Sequence, residues 1–354
     1  MVGQRKLAAG GAIVAAAAIA AGCGSGSSSS GGSAGAAGGT KTVKIMVGGL
    51  DKQIYLPAML SERLGYFKQQ GLDVQLSDEP AGVEAANQLL AGKVDGVIGF
   101  YDHTVDLQGN GKDAQSVVQL LKLPGEAEMC RNDVAGAVRS PADWTGKKLG
   151  VTGLGSSTYF LTQYLAVKNG VQTHKITPVA VKAGPTFVAA MQQKAIDCGM
   201  TTEPTVTAVQ EKGLGKPLID LRTEAGTRAA LGGLYPASAL YMRNDWVARN
   251  PRTVQKLANA LVKTLRWIQT HSAAQITAKM PPAYYEGVGR AQYTKALEAQ
   301  KGIFTPDGVM PAGGPETVLK VLDAFDPAVK GKKIDLSKTY TTEFARKANA
   351  ALGA

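Results

Sequence analysis

A module of strand, helix, strand, helix and strand occurs twice in this chain, and it constrains the fold more than any other feature. The first copy starts with the strand KTVKIMVGG (41–49) and a helix through LPAMLSERLGYFKQQG (56–71). It continues through the strand LDVQLS (72–77), the helix VEAANQLLAGK (83–93) and the strand VDGVIGF (94–100). The second copy reads KKLGVTG (147–153), TYFLTQYLAVKNG (158–170), KITPVAV (175–181), PTFVAAMQQKA (185–195) and IDCGMTT (196–202). Even the helix–strand junctions match, AANQLLAGKVDG against AAMQQKAIDCG. Strands alternating with helices of this length predict parallel sheets with right-handed crossovers. Two copies predict two α/β lobes, each with its own sheet.

Between the copies, residues 123–144 read as a crossover. After the second copy, Ala239 to Met242 is strand-like, and Asn250-Pro251 is a good helix start, with Asn at the N-cap and Pro at N1. Val254, Leu257, Ala258, Leu261, Leu265 and Ile268 recur at helical spacing, so one face of that helix is core. The remainder to Ala354 is helical and holds no third repeat. Returning it to the first lobe gives a discontinuous lobe 1 (41–123 and 243–354), a lobe 2 (124–242) and two chain crossings as a hinge.

Open parallel sheets hold ligands outside the carboxyl ends of their strands. Two facing sheets place four such ends around one cleft: GGLDKQIY (48–55), FYDH (100–103), TGLGSST (152–158) and TTEP (201–204).

The first residues read as an export signal. Arg5 and Lys6 precede an uncharged apolar stretch, 7–22, of about 24 Å if helical, short of the roughly 30 Å of a bilayer core. The following AAGC resembles the bacterial lipoprotein signal, in which the cysteine, here Cys23, is lipidated and becomes the new N-terminus. Residues 1–22 are then a signal peptide. Residues 23–40, rich in Gly and Ser with no apolar anchors, are a lipid-anchored flexible linker.

The formal charge is +11, and +9 once Arg5 and Lys6 leave with the signal. The basic residues are scattered, with no stripe interleaved with aromatics, which reads as a solvated surface and not as nucleic-acid binding. With Cys23 lipidated, Cys130 and Cys198 remain. An oxidising exterior permits a disulfide between them, and spacing alone leaves their proximity open.

LSERLGYFKQQGLDVQL, ADWTGKKLGV, GSST opening a helix, and IDCGMTTEP, in this order, resemble the solute-binding lipoproteins of ABC importers. The nitrate, sulfonate and taurine group is the nearest, sharing its fold with the thiamine-pyrimidine proteins. The resemblance covers roughly residues 41–271. It implies a type II periplasmic-binding-protein fold whose lobes close on one small anionic organic solute, a permease as membrane partner, a monomer, and no cofactor. An enzyme on the same fold, a pyrimidine synthase, is the rival reading. It requires a cysteine-rich motif and an active-site lysine–histidine arrangement, and no such cysteine motif stands in this chain. A thiamine-pyrimidine ligand stays open as an alternative solute.

Ser156, Ser157 and Thr158, with Gly155 ahead of them, begin a helix at the inferred cleft. Hydroxyls there serve either as N-caps or, with the free N–H groups of the first turn, as a seat for an anionic head. They match the position where sulfonate-type members of the resembling family hold that group. The pattern is not the G-x-S-x-G nucleophile elbow. Tyr55, Tyr101 and Tyr235 are candidate pocket walls, with ordinary half-buried packing as the alternative. Glu203 at a strand end, and more weakly Asp51 and Asp102, are candidates to receive a ligand amine or hydroxyl. One acid acting with the serine seat implies a zwitterionic ligand. His103, His174 and His271 are dispersed without ligand spacing, so no metal is expected.

Overall fold

The computed structural model describes residues 41–353. The expected signal peptide (1–22), Cys23 and the expected linker therefore lie outside the described residues. Ten strands form two sheets. They are β1 (Lys41–Val47), β2 (Leu72–Asp78), β3 (Gly96–Phe100), β4 (Ala114–Gln119), β5 (Glu126–Arg131), β6 (Lys148–Val151), β7 (Thr177–Ala180), β8 (Cys198–Thr202), β9 (Gly215–Asp220) and β10 (Ser238–Arg243). The first sheet has the order β2-β1-β3-β10-β4 and the second β7-β6-β8-β5-β9, so the repeat in sequence becomes a repeat in topology.

The expectation of purely parallel sheets needs correction. β10 pairs antiparallel with β3 and β4, and β5 pairs antiparallel with β8 and β9. The reason lies in connectivity. The strands of the repeat end at the cleft, whereas β5 and β10 begin there, immediately after the chain has crossed from the other lobe. A strand that starts where its neighbours finish must run against them, and the right-handed crossover rule applies only to connections within one sheet.

Two further corrections follow. The segment 123–144, read as a plain crossover, contains β5. Ser238–Met242, expected to close lobe 2, belongs to the first sheet, as the fourth of its five strands.

Val43, Ile45 and Val47 of β1 are buried and alternate with exposed Thr42 and Lys44, whereas all of β3, Gly96 to Phe100, is buried, as expected for a strand covered on both faces. The helix Pro251–Thr270 begins with Pro at N1 and buries Val254, Leu257, Ala258, Leu261, Leu265 and Ile268 completely. Each large side chain among them contributes about 1.5–3 kcal/mol of transfer free energy. This helix packs on Leu56–Arg63 and on the last helix, Glu343–Ala351, which returns the tail to the first lobe. The tail also reaches further: the helix Gly314–Asp323 touches both Asp102–Gly109 of the first lobe and Ser157–Lys168 of the second. A disulfide joins Cys130 of β5 to Cys198 of β8, residues directly opposite in the ladder. Among the described residues no helix is long and apolar enough to cross a membrane.

Candidate functional site

The second-lobe wall is built by the turn after β6. Gly155 adopts φ +88°, a left-handed conformation that favours glycine, and its α-carbon faces Val83 of the first lobe. At Gly153 a β-carbon would stand 2.9 Å from that of Ala81, so a glycine here lets the two lobes meet. The turn delivers Ser156 to the N-cap of the helix Ser157–Lys168, in extended conformation.

Ser156 does not cap the helix through its side chain. Its hydroxyl donates to the Gly153 carbonyl at 2.6 Å and accepts from Thr152 at 3.0 Å. Thr158 accepts from the Thr152 N–H at 2.9 Å. The hydroxyls thus hold the turn in shape, and the N-cap side chain takes none of the first-turn N–H groups. A helix N-terminus left in that condition carries roughly half a positive charge and attracts an anion or a carbonyl-like acceptor. Capping, one of the two readings offered by the sequence, is not what these hydroxyls do.

The inter-lobe cavity is small, about 10 Å³, roughly the room of one water molecule. Lys52, Ile54, Tyr55, Gly82 and Phe100 line it from the first lobe. From the second lobe come Glu126, Thr152, Ser156, Ser157, Thr158 and Thr202. Tyr55 and Phe100 meet edge to face with centroids 6.4 Å apart, forming an aromatic corner. The Lys52 ammonium donates to the carbonyls of Gly48 at 2.6 Å and Pro80 at 2.8 Å. Burial lowers its pKa, while Asp51, Glu126, Asp78 and Glu84 pull the other way. Outside it lies a groove of about 330 Å³ whose walls include Asp51, Lys52, Lys182 and Tyr284.

Glu126 stands at the start of β5 and is 2% exposed. Burial pushes its carboxyl well above the usual carboxylate range; Asp102 adds to the shift, and Lys52 opposes it. Its Oε2 has no hydrogen-bond partner among the described residues. Behind the cavity, Asp102 is fully buried and accepts from Ser157 at 2.9 Å and from Tyr235 at 2.8 Å. Burial raises its pKa, and His103 together with these two donors opposes the rise. His103 sits 3.5 Å from Asp102, and its own pKa is lowered by burial.

Of the residues singled out from the sequence, the structure brings Tyr55, Ser156, Ser157 and Thr158 to the cavity. Gly155 lies beside it, against the facing lobe. Tyr101 does not line the cavity: it is buried, hydrogen-bonded to Thr339 and edge-on to Tyr340, because the chain turns into the helix Asp102–Gly109 at this point and faces the tail. Tyr235 is buried and acts through Asp102. Glu203 is committed elsewhere, to the Arg222 guanidinium and the Thr207 N–H. Sequence reasoning missed Lys52, Phe100, Thr152 and Thr202 as named residues, although all four lie within the strand ends assigned to the cleft. It missed Glu126 altogether, since an acid in a stretch without hydrophobic alternation reads as loop. Among the described residues no group of three or more potential metal ligands occurs.

Comparison with known proteins agrees with this architecture. A protein of solved structure from Bordetella bronchiseptica RB50 is 34% identical, covers 88% of this chain and 98% of its own, and superposes with a TM-score of 0.84. The periplasmic nitrate-binding protein NrtA from Synechocystis PCC 6803 superposes at 0.71 over 89% of this chain and 90% of its own; at 15% identity that likeness is one of fold, the two-lobed type II periplasmic-binding-protein fold. Among curated proteins, the putative binding protein YtlA of Bacillus subtilis (strain 168) is 25% identical over 63% of this chain and 65% of its own. The 4-amino-5-hydroxymethyl-2-methylpyrimidine phosphate synthase of Candida albicans (strain WO-1) is 26% identical over 61% of this chain and 64% of its own. The chain thus spans a little under two thirds of the length of the curated relatives it matches. The family model described as NMT1/THI5 like matches residues 54–274, which include the cavity-lining residues other than Lys52. The chain belongs to the NMT1/THI5-like family.

Proposed function

We propose that this chain is the solute-binding component of an ABC importer, capturing a small anionic organic solute between its lobes and handing it to a membrane permease. The observation that carries this reading is the helix N-terminus at Ser157, free of a side-chain cap and facing a cavity that the Lys52 ammonium also lines. Both are anion-attracting groups, and they come from different lobes. An anion bridging them stabilises the closed arrangement over the open one, which is how a ligand selects a hinge position.

In this reading residues 41–123 and 243–354 form one moving body and 124–242 the other, with Ser238–Met242 assigned to the first on the strength of its sheet. The present cavity admits about one water, so the solute enters when the lobes part. The protein is exported, held to the outer face of the membrane by lipid on Cys23 and the linker that follows, and acts as a monomer. It is a binder and not an enzyme. Both cysteines of the described region are tied in one disulfide, so they offer no thiol for chemistry.

A second solute class has one observation in its favour: curated relatives are named as synthases of a pyrimidine phosphate. A phosphate would take the same helix N-terminus, with the ring between Tyr55 and Phe100.

Isothermal titration of the full chain with nitrate, ethanesulfonate, 2-aminoethanesulfonate and 4-amino-5-hydroxymethyl-2-methylpyrimidine phosphate tests the reading. One-to-one binding of at least one probe is expected, abolished in a Ser157→Trp variant that still melts cooperatively. No heat from any probe, or undiminished affinity in that variant, would overturn it.

A further inference from the structure

Glu126 is set into the cavity wall with nothing beside it to balance a charge. It lines the same space as the helix N-terminus, is 2% exposed, and has no hydrogen-bond partner for Oε2 among the described residues. The Lys52 ammonium, the cation lining the cavity with it, is directed at the Gly48 and Pro80 carbonyls. Thr202, opposite Glu126 in the ladder between β5 and β8, donates its hydroxyl to the Gly125 carbonyl at 3.0 Å. An ionised carboxylate taken out of water without donor or counter-ion costs far more than the neutral acid, so an enclosed group in this position keeps its proton.

The surroundings act mostly in the same sense. Burial is the main cause of the raised pKa of Glu126; Asp102 of the first lobe and Glu128 on its own strand add to it, and Lys52 opposes it. Tyr55 and Tyr235 also face this carboxyl, and burial pushes their own pKa values up, so both are neutral phenols. In the neutral acid the unpartnered Oε2 can carry a proton to donate, and its match is an acceptor oxygen of a solute seated on the helix N-terminus.

The enclosure belongs to the closed arrangement. Glu126 comes from the second lobe, whereas Lys52, Ile54, Tyr55, Gly82 and Phe100, which close the cavity over it, come from the first. Parting the lobes removes that cover, lets water reach the carboxyl and allows it to ionise in the ordinary range. Glu128 differs: it is fully buried against Thr162 of the helix Ser157–Lys168, within its own lobe, and keeps its cover.

We infer that closure of the lobes takes up a proton on Glu126, so that the site holds its solute together with a proton, the neutral acid donating to one of the solute's oxygens. The donation to the solute rests on the anion-binding reading of this cleft; the proton uptake rests on the cavity alone. A group that binds its proton more tightly in the closed arrangement favours that arrangement as pH falls and loses this effect as pH rises. Asp102 shifts in the same sense and its neighbour His103 in the opposite one, so a variant at Glu126 isolates its share.

Small-angle scattering of the full chain without solute, from about pH 5 to about pH 8, tests the proton uptake. The radius of gyration of the wild type is expected to rise with pH. Glu126→Gln, whose carboxamide stands for the neutral acid, is expected to keep the small value throughout. Glu126→Met, neutral and of similar length, replaces it if the first variant does not melt cooperatively. A wild-type radius that does not change with pH, or a variant that follows the wild-type curve, would overturn the inference. Isothermal titration with nitrate and ethanesulfonate at both pH limits reads the coupling to the solute. For a probe that binds, affinity is expected to fall with rising pH by up to roughly tenfold per unit, the limit for one coupled proton, and to lose that dependence in the variant. Equal affinity at both limits would overturn the proton inference and leave anion binding standing. No binding by either probe counts against the anion reading, and the scattering comparison then decides the proton uptake by itself.

Discussion

Ser157 donates its hydroxyl to Asp102 at 2.9 Å, and the two residues belong to opposite lobes, one on a helix following β6 and the other on a helix following β3. The bond joins non-equivalent positions of the two copies of the repeat, the first turn after the first strand of the second copy and the first turn after the last strand of the first. Tyr235, from the segment returning to the first lobe, supplies the second donor to the same carboxylate. Asp102 is therefore a tie between both lobes and one of the chain crossings.

Ser157→Ala is expected to weaken that tie. A hydrogen bond to a charged group is worth about 1.5–3 kcal/mol, and here part of it opposes lobe separation. Small-angle scattering should show a larger radius of gyration for the variant without solute, and the thermal midpoint should fall by a few degrees. An unchanged scattering curve would show that the contact does not hold the lobes together.

Gly153→Val should hold the lobes apart without unfolding either. A β-carbon at Gly153 meets the Ala81 side chain of the facing lobe at 2.9 Å, closer than packed carbons sit. The expected outcome is an expanded particle with native circular dichroism and loss of solute binding. Wild-type affinity in this variant would mean that closure tolerates more space at this point than the structure indicates.

The Cys130–Cys198 bridge closes a loop of sequence separation 68 within the second sheet. Its removal by Cys130→Ala with Cys198→Ala should lower unfolding stability by about 2–4 kcal/mol. Denaturant titration with and without reductant checks this: reductant should shift the wild-type midpoint and leave the double variant where it is.

Asp106 introduces a pH dependence. Burial, with the neighbouring Asp326 carboxyl hydrogen-bonded to it, pushes its pKa up to about 7 from an ordinary value of 3.8. A raised folded-state pKa means that the fold holds the proton more tightly than the unfolded chain does. The associated stability is fully present below pH 3.8 and is lost as pH rises through about 7. Denaturant midpoints measured from pH 4 to pH 8 should therefore fall in wild type, and fall less steeply in Asp106→Asn. Parallel slopes for the two proteins would exclude Asp106 as a source of the loss.

The legible part of this structure is the part written in local pattern. The repeat identified strands β1, β2, β3, β6, β7 and β8 by their alternation with helices, and the helical spacing of Val254 to Ile268 identified the long tail helix, because it buries one periodic face. Tyr55 and the Ser156–Thr158 turn were found for the same reason, since they follow cleft-facing strands of the repeat. Tyr101, one residue past such a strand end, was placed at the cleft by the same logic and turned out to face the tail. At a strand end the sequence tells which residues are near, and side-chain direction is fixed by what packs behind.

By itself the sequence determined two α/β lobes and a helix N-terminus directed at the space between them, since strand and helix periodicities are properties of neighbouring residues. Only the tertiary structure decided that β5 and β10 cross over to run antiparallel, because their direction depends on where the chain re-enters a sheet and on nothing local. It also decided that Glu203 is spent on Arg222 while Glu126 reaches the cavity. Both are glutamates close to a strand end, and the difference between them is the partner that folding brings alongside.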